Sequence, residues 1–304
     1  MPSDVVPSLG SRDRLSGPPD AFRTCWQPGT MTAPGNFGGG VPVERLRQKR
    51  IVSCATWLGF LILAGSMSPA LAETDAPDPY TYVAEWTIAR DQWQGYSDWA
   101  MRNHKPILER LAADGTLIDW GFFETYIHTE SGSTHGVWWS SASFAGIEKT
   151  RAELLKAPSH PAAAAGAHHD YLFRSRMGAS RSGAISGGFL SVNVQELRPG
   201  QGKDWSALWE RTSKPVLDDL LAQGTIASYA VQAEDSHTQS SALRWLVTIS
   251  PSAAAEDQVE AAFDAAISQR SEAEREAFGR LMRDLTVPES HRDYLARITA
   301  AWFK

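Results

Sequence analysis

Glu124 sits in the run Trp120-Gly121-Phe122-Phe123-Glu124-Thr125-Tyr126-Ile127-His128. In an extended strand successive side chains alternate, so Trp120, Phe122, Glu124, Tyr126 and His128 share one face. A carboxylate enclosed by aromatic side chains loses hydration. That favours its protonated form and suits it to acid–base chemistry near neutral pH. Glu124 and His128 are therefore the candidate catalytic residues. The plainer reading hydrogen-bonds Glu124 to a neighbour or leaves it at a wet rim, and makes His128 a turn residue helped by Thr129. Trp86, Tyr96, Trp99, Trp120, Tyr126, Trp138 and Trp139 are candidate ligand contacts, with His104 and His237 beside them. Core packing accounts for most of these aromatics. Their concentration in one half of the chain points to a pocket for a small hydrophobic or aromatic ligand.

Other chemistries lack their motifs. The sequence has no His-Glu-x-x-His helix, no P-loop, no Gly-x-Ser-x-Gly elbow and no Gly-x-Gly-x-x-Gly after a strand. Among 304 residues, 29 Lys+Arg stand against 35 Asp+Glu, which disfavours a nucleic-acid partner. Hydrophobic residues at 42% and charged residues at 21% fit a globular protein.

Arg45-Leu-Arg-Gln-Lys-Arg50 precedes 22 residues without a charge, Ile51 to Ala72. The run ends Ser68-Pro69-Ala70-Leu71-Ala72, with small residues at −3 and −1. This is the pattern of a secretory signal, with cleavage expected after Ala72 and a periplasmic or secreted mature chain. An uncleaved anchor is the alternative. After cleavage no stable membrane partner is expected. Initiation at Met1 or at Met31 is left open. Both cysteines, Cys25 and Cys54, fall in the removed part, which excludes disulfides and thiol chemistry in the mature chain. That chain has 22 Lys+Arg and 31 Asp+Glu, a net charge of −9.

The rest is a tandem repeat. His104-Lys-Pro-Ile-Leu-Glu-Arg-Leu-Ala-Ala-Asp-Gly-Thr116 aligns with Ser213-Lys-Pro-Val-Leu-Asp-Asp-Leu-Leu-Ala-Gln-Gly-Thr225 at an offset of 109. Tyr96 then matches Trp205, Trp120 matches Tyr229, Glu124 matches Ala233, and His128 matches His237. Later, His168, Asp170 and Arg174 match His291, Asp293 and Arg297 at an offset of 123. The triplet His168-His169-Asp170 has a metal-like look, but Arg292 replaces one histidine in the copy, so no metal is assigned. Three regions follow: residues 1–72 as extension and signal, 73–180 as the first repeat, 181–304 as the second.

Each repeat reads strand, helix, strand, strand, helix, strand. In the first, strands are expected at 80–88, 117–128, 135–143 and 169–177, with helices at 95–114 and 144–156. The middle strands form a hairpin around Glu130-Ser131-Gly132-Ser133. Pro106 and Pro215 predict kinked or abutting helices. In the second, strands are expected at 189–197, 226–234, 242–249 and 292–302, with a helix at 205–223 and a broken helical region at 253–285. Residues 162–165 read as a loop, and 178–188 as the link between repeats.

The βαββαβ order is the ferredoxin-like unit, and both faces of its strands carry apolar residues. A fold of class α+β follows: two tandem ferredoxin-like repeats, sheet against sheet, closing as a pseudo-dimeric α/β barrel. The chain here resembles the dimeric α/β-barrel superfamily. That group includes antibiotic-biosynthesis-type monooxygenases, EthD-like and NIPSNAP-like proteins, and chlorite-dismutase-like heme enzymes. The resemblance implies an intramolecular pseudo-dimer, with homo-oligomerisation open. It implies an exported small-molecule-binding protein, as a cofactor-free oxygenase or isomerase on a hydrophobic or aromatic compound. Two alternatives are a heme-binding or heme-dependent protein and a non-enzymatic envelope or stress protein. Heme-binding relatives carry the axial histidine on a helix flanking the sheet, which would make His104 the candidate. No cofactor is otherwise expected.

Overall fold

The computed structural model describes residues 78–128 and 132–304. The extension, the signal segment and the Ala72 site lie outside these residues. Among the described residues no helix is long and apolar enough to cross a membrane.

The first repeat runs β1 (Tyr80–Trp86), α1 (Trp93–Asn103), α2 (Lys105–Ala113), β2 (Asp119–Thr125), β3 (His135–Ser141), α3 (Phe144–Leu154), α4 (Pro161–Ala165) and β4 (His168–Ser180). Then come β5 (Gly183–Ile185), β6 (Phe189–Glu196), α5 (Gly202–Thr212), α6 (Lys214–Gln223), β7 (Ser228–Glu234), β8 (Leu243–Ser250), α7 (Ala253–Ser268), α8 (Glu272–Leu285) and β9 (Arg292–Phe303).

Both prolines split their helices as expected. Proline has no N–H and its ring clashes with the carbonyl four residues back, so it is tolerated only in a first turn. The chain therefore breaks at His104 and at Ser213. Pro106 and Pro215 then fall at the start of α2 and α6. The long region of repeat two breaks where Ser271 and Glu274 form a capping box at the head of α8.

The strands form one sheet in the order β2-β3-β1-β4-β7-β8-β6-β9, and β9 pairs back onto β2. The result is a closed barrel of eight antiparallel strands, with helices outside. Two ladders join the repeats. In β4–β7, Arg174 pairs with Ala233; in β9–β2, Arg297 pairs with Glu124. These are the same two repeat positions, so the halves are related by a pseudo-two-fold axis. The repeats thus close edge to edge rather than as two stacked sheets. Each unit's open edge strand would otherwise expose unpaired backbone groups.

Closure buries both strand faces. Outward, Ala84, Trp120, Phe122, Val137 and Trp139 pack against Leu108, Leu111 and Ile147 of the helices. Inward, Phe123, Trp138, Leu190, Ile249, Ile298 and Phe303 fill the barrel. A Cβ at Gly121 would lie 2.1 Å from the Trp138 ring, so this glycine makes room for the indole.

Two segments differ from expectation. Residues 161–165 form a short helix, because Pro161 opens it and the His160 side chain accepts from the Ala162 N–H. The link 178–188 is largely strand: β4 extends to Ser180, and β5 pairs with the end of β9.

Candidate functional site

Glu124 and His135 are directly opposite one another on β2 and β3. Glu124 faces α1, where Ser97 Oγ donates to its Oε1 at 2.5 Å. The carboxylate lies at a partly wet rim, with its side chain 36% exposed. Trp120 and Phe122 lie behind it in the helix–sheet core. So the carboxylate does not sit desolvated in an aromatic cage.

His135 is 2% exposed. Its Nε2 lies 3.8 Å from Glu124 Oε1 and makes no hydrogen bond. Its Nδ1 lies 3.0 Å from Thr134 Oγ1. That oxygen accepts the Ile88 N–H at 2.9 Å and lies 3.2 Å from the Trp86 carbonyl. The hydroxyl has one hydrogen for two acceptors. A bare Nε2 lone pair facing a carboxylate would be repelled, so we assign the proton to Nε2 and the threonine O–H to Nδ1. Burial pushes the imidazole down to about 4, against the smaller upward pull of Glu124. His135 is therefore neutral at pH 7 and directs an N–H toward the carboxylate side. The cavity beside it, bounded by Tyr96, Ser97, Ala100, Met101, Phe122 and His135, measures about 10 Å³. That is room for roughly one water.

An array of rings surrounds this pair. Tyr96 meets His135 edge-on at 5.1 Å, and Trp93 meets His135 at 5.7 Å and His128 at 4.6 Å. Trp99 contacts Tyr96 and, at 4.4 Å, His104. His160 touches Tyr96 and Trp99. Trp86 contacts Tyr96 and stacks on His168. Burial holds His104 down to about 4 and raises the Tyr96 phenol.

The structure thus gathers Glu124, Trp86, Tyr96, Trp99, His104 and His128 about one site. Trp120 and Trp139 lie deeper in the same layer, with Trp139 stacked on Tyr82. Trp138 points the other way, into the barrel. Tyr126 follows the end of β2, is 51% exposed, and meets Phe189 and Arg297 instead. His237 is exposed on the β7–β8 turn and stacks on none of these rings. Ser97, His135 and His160 were not singled out by sequence. A hairpin centred on residues 130–133 would pair Glu124 with Trp139, but the connection is asymmetric and pairs it with His135. Among the described residues no group of three or more His, Cys, Asp or Glu could hold a metal ion.

Repeat two keeps the position but not the groups: Ser206 matches Ser97, Ala233 matches Glu124 and Arg244 matches His135. There the space between α5 and the sheet is an open cleft of about 410 Å³.

No family model matches the chain, and no curated protein matches it. Solved structures do. A protein of Lactobacillus acidophilus NCFM, provisionally named a monooxygenase, superposes with a TM-score of 0.52 at 8% identity, covering 74% of this chain and 96% of that one. An anthrone oxidase-like protein matches with a TM-score of 0.43 at 12% identity, over 75% and 94% of the two chains. A mutant chlorite dismutase of Candidatus Nitrospira defluvii gives 0.45 at 8% identity, over 73% and 92%. Identities this low speak for the fold alone. The chain has the ferredoxin-like dimeric α/β-barrel fold, with both halves in one polypeptide.

Heme is the cofactor that the sequence leaves open, with His104 as its candidate axial ligand. Repeat one has the histidines, but His104 is packed against Trp99 and the nearby cavity is water-sized. Repeat two has the space, but no His, Cys or Tyr lines it, and its Met177 is packed against the helix–sheet core. The residues present do not fit heme.

Proposed function

We propose that this is an exported enzyme that moves a proton on a flat, hydrophobic carbon acid. The observation that supports this is the buried, otherwise unpartnered Nε2 of His135 beside the rim carboxylate of Glu124. A carboxylate is a base for a C–H next to a carbonyl, and a neutral imidazole N–H is a donor for the oxygen on which the charge develops. In this reading Glu124 takes the proton, the electron pair moves onto the carbonyl oxygen, and His135 Nε2–H donates to the resulting enolate. Ser97 orients the carboxylate. Return of the proton at a different carbon makes an isomerase. Oxidation of the enolate by dissolved dioxygen gives a carbon-bound peroxide, which takes the proton back from Glu124 and loses water to leave a new carbonyl; that makes a cofactor-free monooxygenase. The ring array supplies apolar walls. Entry of a ligand requires the half-buried Met101 in its wall to move, since the cavity holds only about one water.

The test is solvent deuterium uptake into 2-indanone, followed by NMR. Glu124→Gln keeps the shape and the Ser97 contact but removes the base. Exchange should fall by about 10²–10⁴-fold while the fold survives. Equal rates in the two proteins would sink the assignment. No exchange by either would favour a binding protein without turnover. For export, N-terminal sequencing of the exported protein should begin at Glu73; recovery of an intact Ile51–Ala72 segment in membranes would show an anchor.

A further inference from the structure

The repeat-two cleft differs in chemistry from its counterpart. At the same place in both inter-repeat ladders the register slips by one residue: between Phe122 and Phe123 against β9, and between Ser175 and Met177 on β4. The extra residues are Thr299 and Arg176, which correspond at the offset of 123. A bulge re-aims its side chain. Thr299 lines the repeat-one cavity, and Arg176 lines the repeat-two cleft. Arg244 stands in the place of His135 and lines the same cleft, with Lys203 in the first turn of α5.

These cations lack counter-ions. Among the described residues no carboxylate lies within ion-pair distance of Arg176, Lys203 or Arg244. Arg244 donates only to the backbone carbonyls of Ser241 and Leu243. Burial, then the charge of Arg176, lowers the proton affinity of Arg244. The N-terminus of α5 has no side-chain cap, so its free N–H groups add positive potential. Glu210, which also lines the cleft, lies seven residues along α5 from Lys203, roughly 10 Å away at 1.5 Å per residue. An acidic protein that keeps three unpaired cations around one cleft has a site for an anion. Met177 and Ala207 supply apolar surface, and a volume of about 410 Å³ falls in the range of small-molecule pockets.

We propose that the repeat-two cleft is a second ligand site, for a small organic carboxylate. Arg176, Arg244 and Lys203 hold its charge, and Met177 and Ala207 meet its apolar body. This site is independent of the Glu124–His135 pair. The probe is 1-naphthoate, titrated calorimetrically into residues 73–304 at low salt. Binding should weaken at least tenfold in the double variant Arg176→Gln/Arg244→Gln and should weaken with added salt. Neutral 1-naphthalenemethanol should bind at least tenfold more weakly than the acid. If loss of both arginines disturbs the fold, Ala207→Trp, on the exposed face of α5, fills the cleft and should also abolish binding. The proposal is overturned by no binding to the wild type at millimolar 1-naphthoate, by equal affinity in the folded variants, or by equal affinity for acid and alcohol.

Discussion

Trp138→Ala is expected to destabilise the barrel by about 3–5 kcal/mol, the usual loss for truncating a buried tryptophan. The indole fills the barrel interior with Phe123, Leu190 and Ile249. It sits over Gly121, so nothing on β2 can move in to replace it. Its Nε1 also donates to Asp119 Oδ1 at 3.0 Å, beside a 2.7 Å bond from Ser140. Burial pushes the Asp119 carboxyl up to about 6, and these two bonds hold it from rising further. Trp138→Phe separates the two effects. It keeps most of the volume and removes one donor, so about 1–3 kcal/mol should be lost and Asp119 should titrate higher still. Urea unfolding measures both variants. A Trp138→Ala protein as stable as wild type would contradict the packing of a filled barrel.

The second large effect is on acid stability. Buried His135 titrates near 4 in the folded chain, against 6.5 when exposed. Below 6.5 the unfolded chain takes up a proton that the folded chain refuses. Stability is therefore whole above pH 6.5 and falls as the pH drops toward 4, by about 3 kcal/mol at most. His104 acts in the same direction. Asp119 and Glu85 act in the opposite one, because their raised values let the folded state protonate first. The wild-type curve is a balance, so the difference from His135→Gln isolates this residue. Urea midpoints at pH 7, 5.5 and 4.5 should converge or cross as the pH falls, with the variant losing less. Parallel curves would mean that His135 is not buried neutral.

The fold was legible because its signals are local and repeated. Lys-Pro after His104 and after Ser213 fixed two helix breaks, and alternation on Trp120–Phe123 showed two buried faces. The site was legible only in part. Alternation put Glu124 on one face with Trp120 and Phe122, and that face lies against the helices. It also put Tyr126 and His128 on that face, but β2 ends at Thr125, and beyond a strand the period-two rule has no force. His135 was hidden because register depends on a connection whose asymmetry no composition reveals. Matching the two repeats showed where groups differ, yet not that the histidine-rich half is closed and the arginine-rich half open. That follows from side-chain volume: Tyr96, Met101 and Phe122 bound the first space, whereas the second is bounded by Ser206, Ala207 and Val231.

The central claim is that Glu124 and His135 act as one unit. Groups that share a transition state are strongly non-additive when removed together. Deuterium exchange into 2-indanone should therefore be measured for Glu124→Gln, His135→Gln and the double variant, with Glu276→Gln on the exposed face of α8 as the control. The account predicts that both single variants lose most of the exchange, that the double variant is no slower than the worse single one, and that the control matches wild type. Losses that multiply in the double variant, or a His135→Gln protein as fast as wild type, would contradict it.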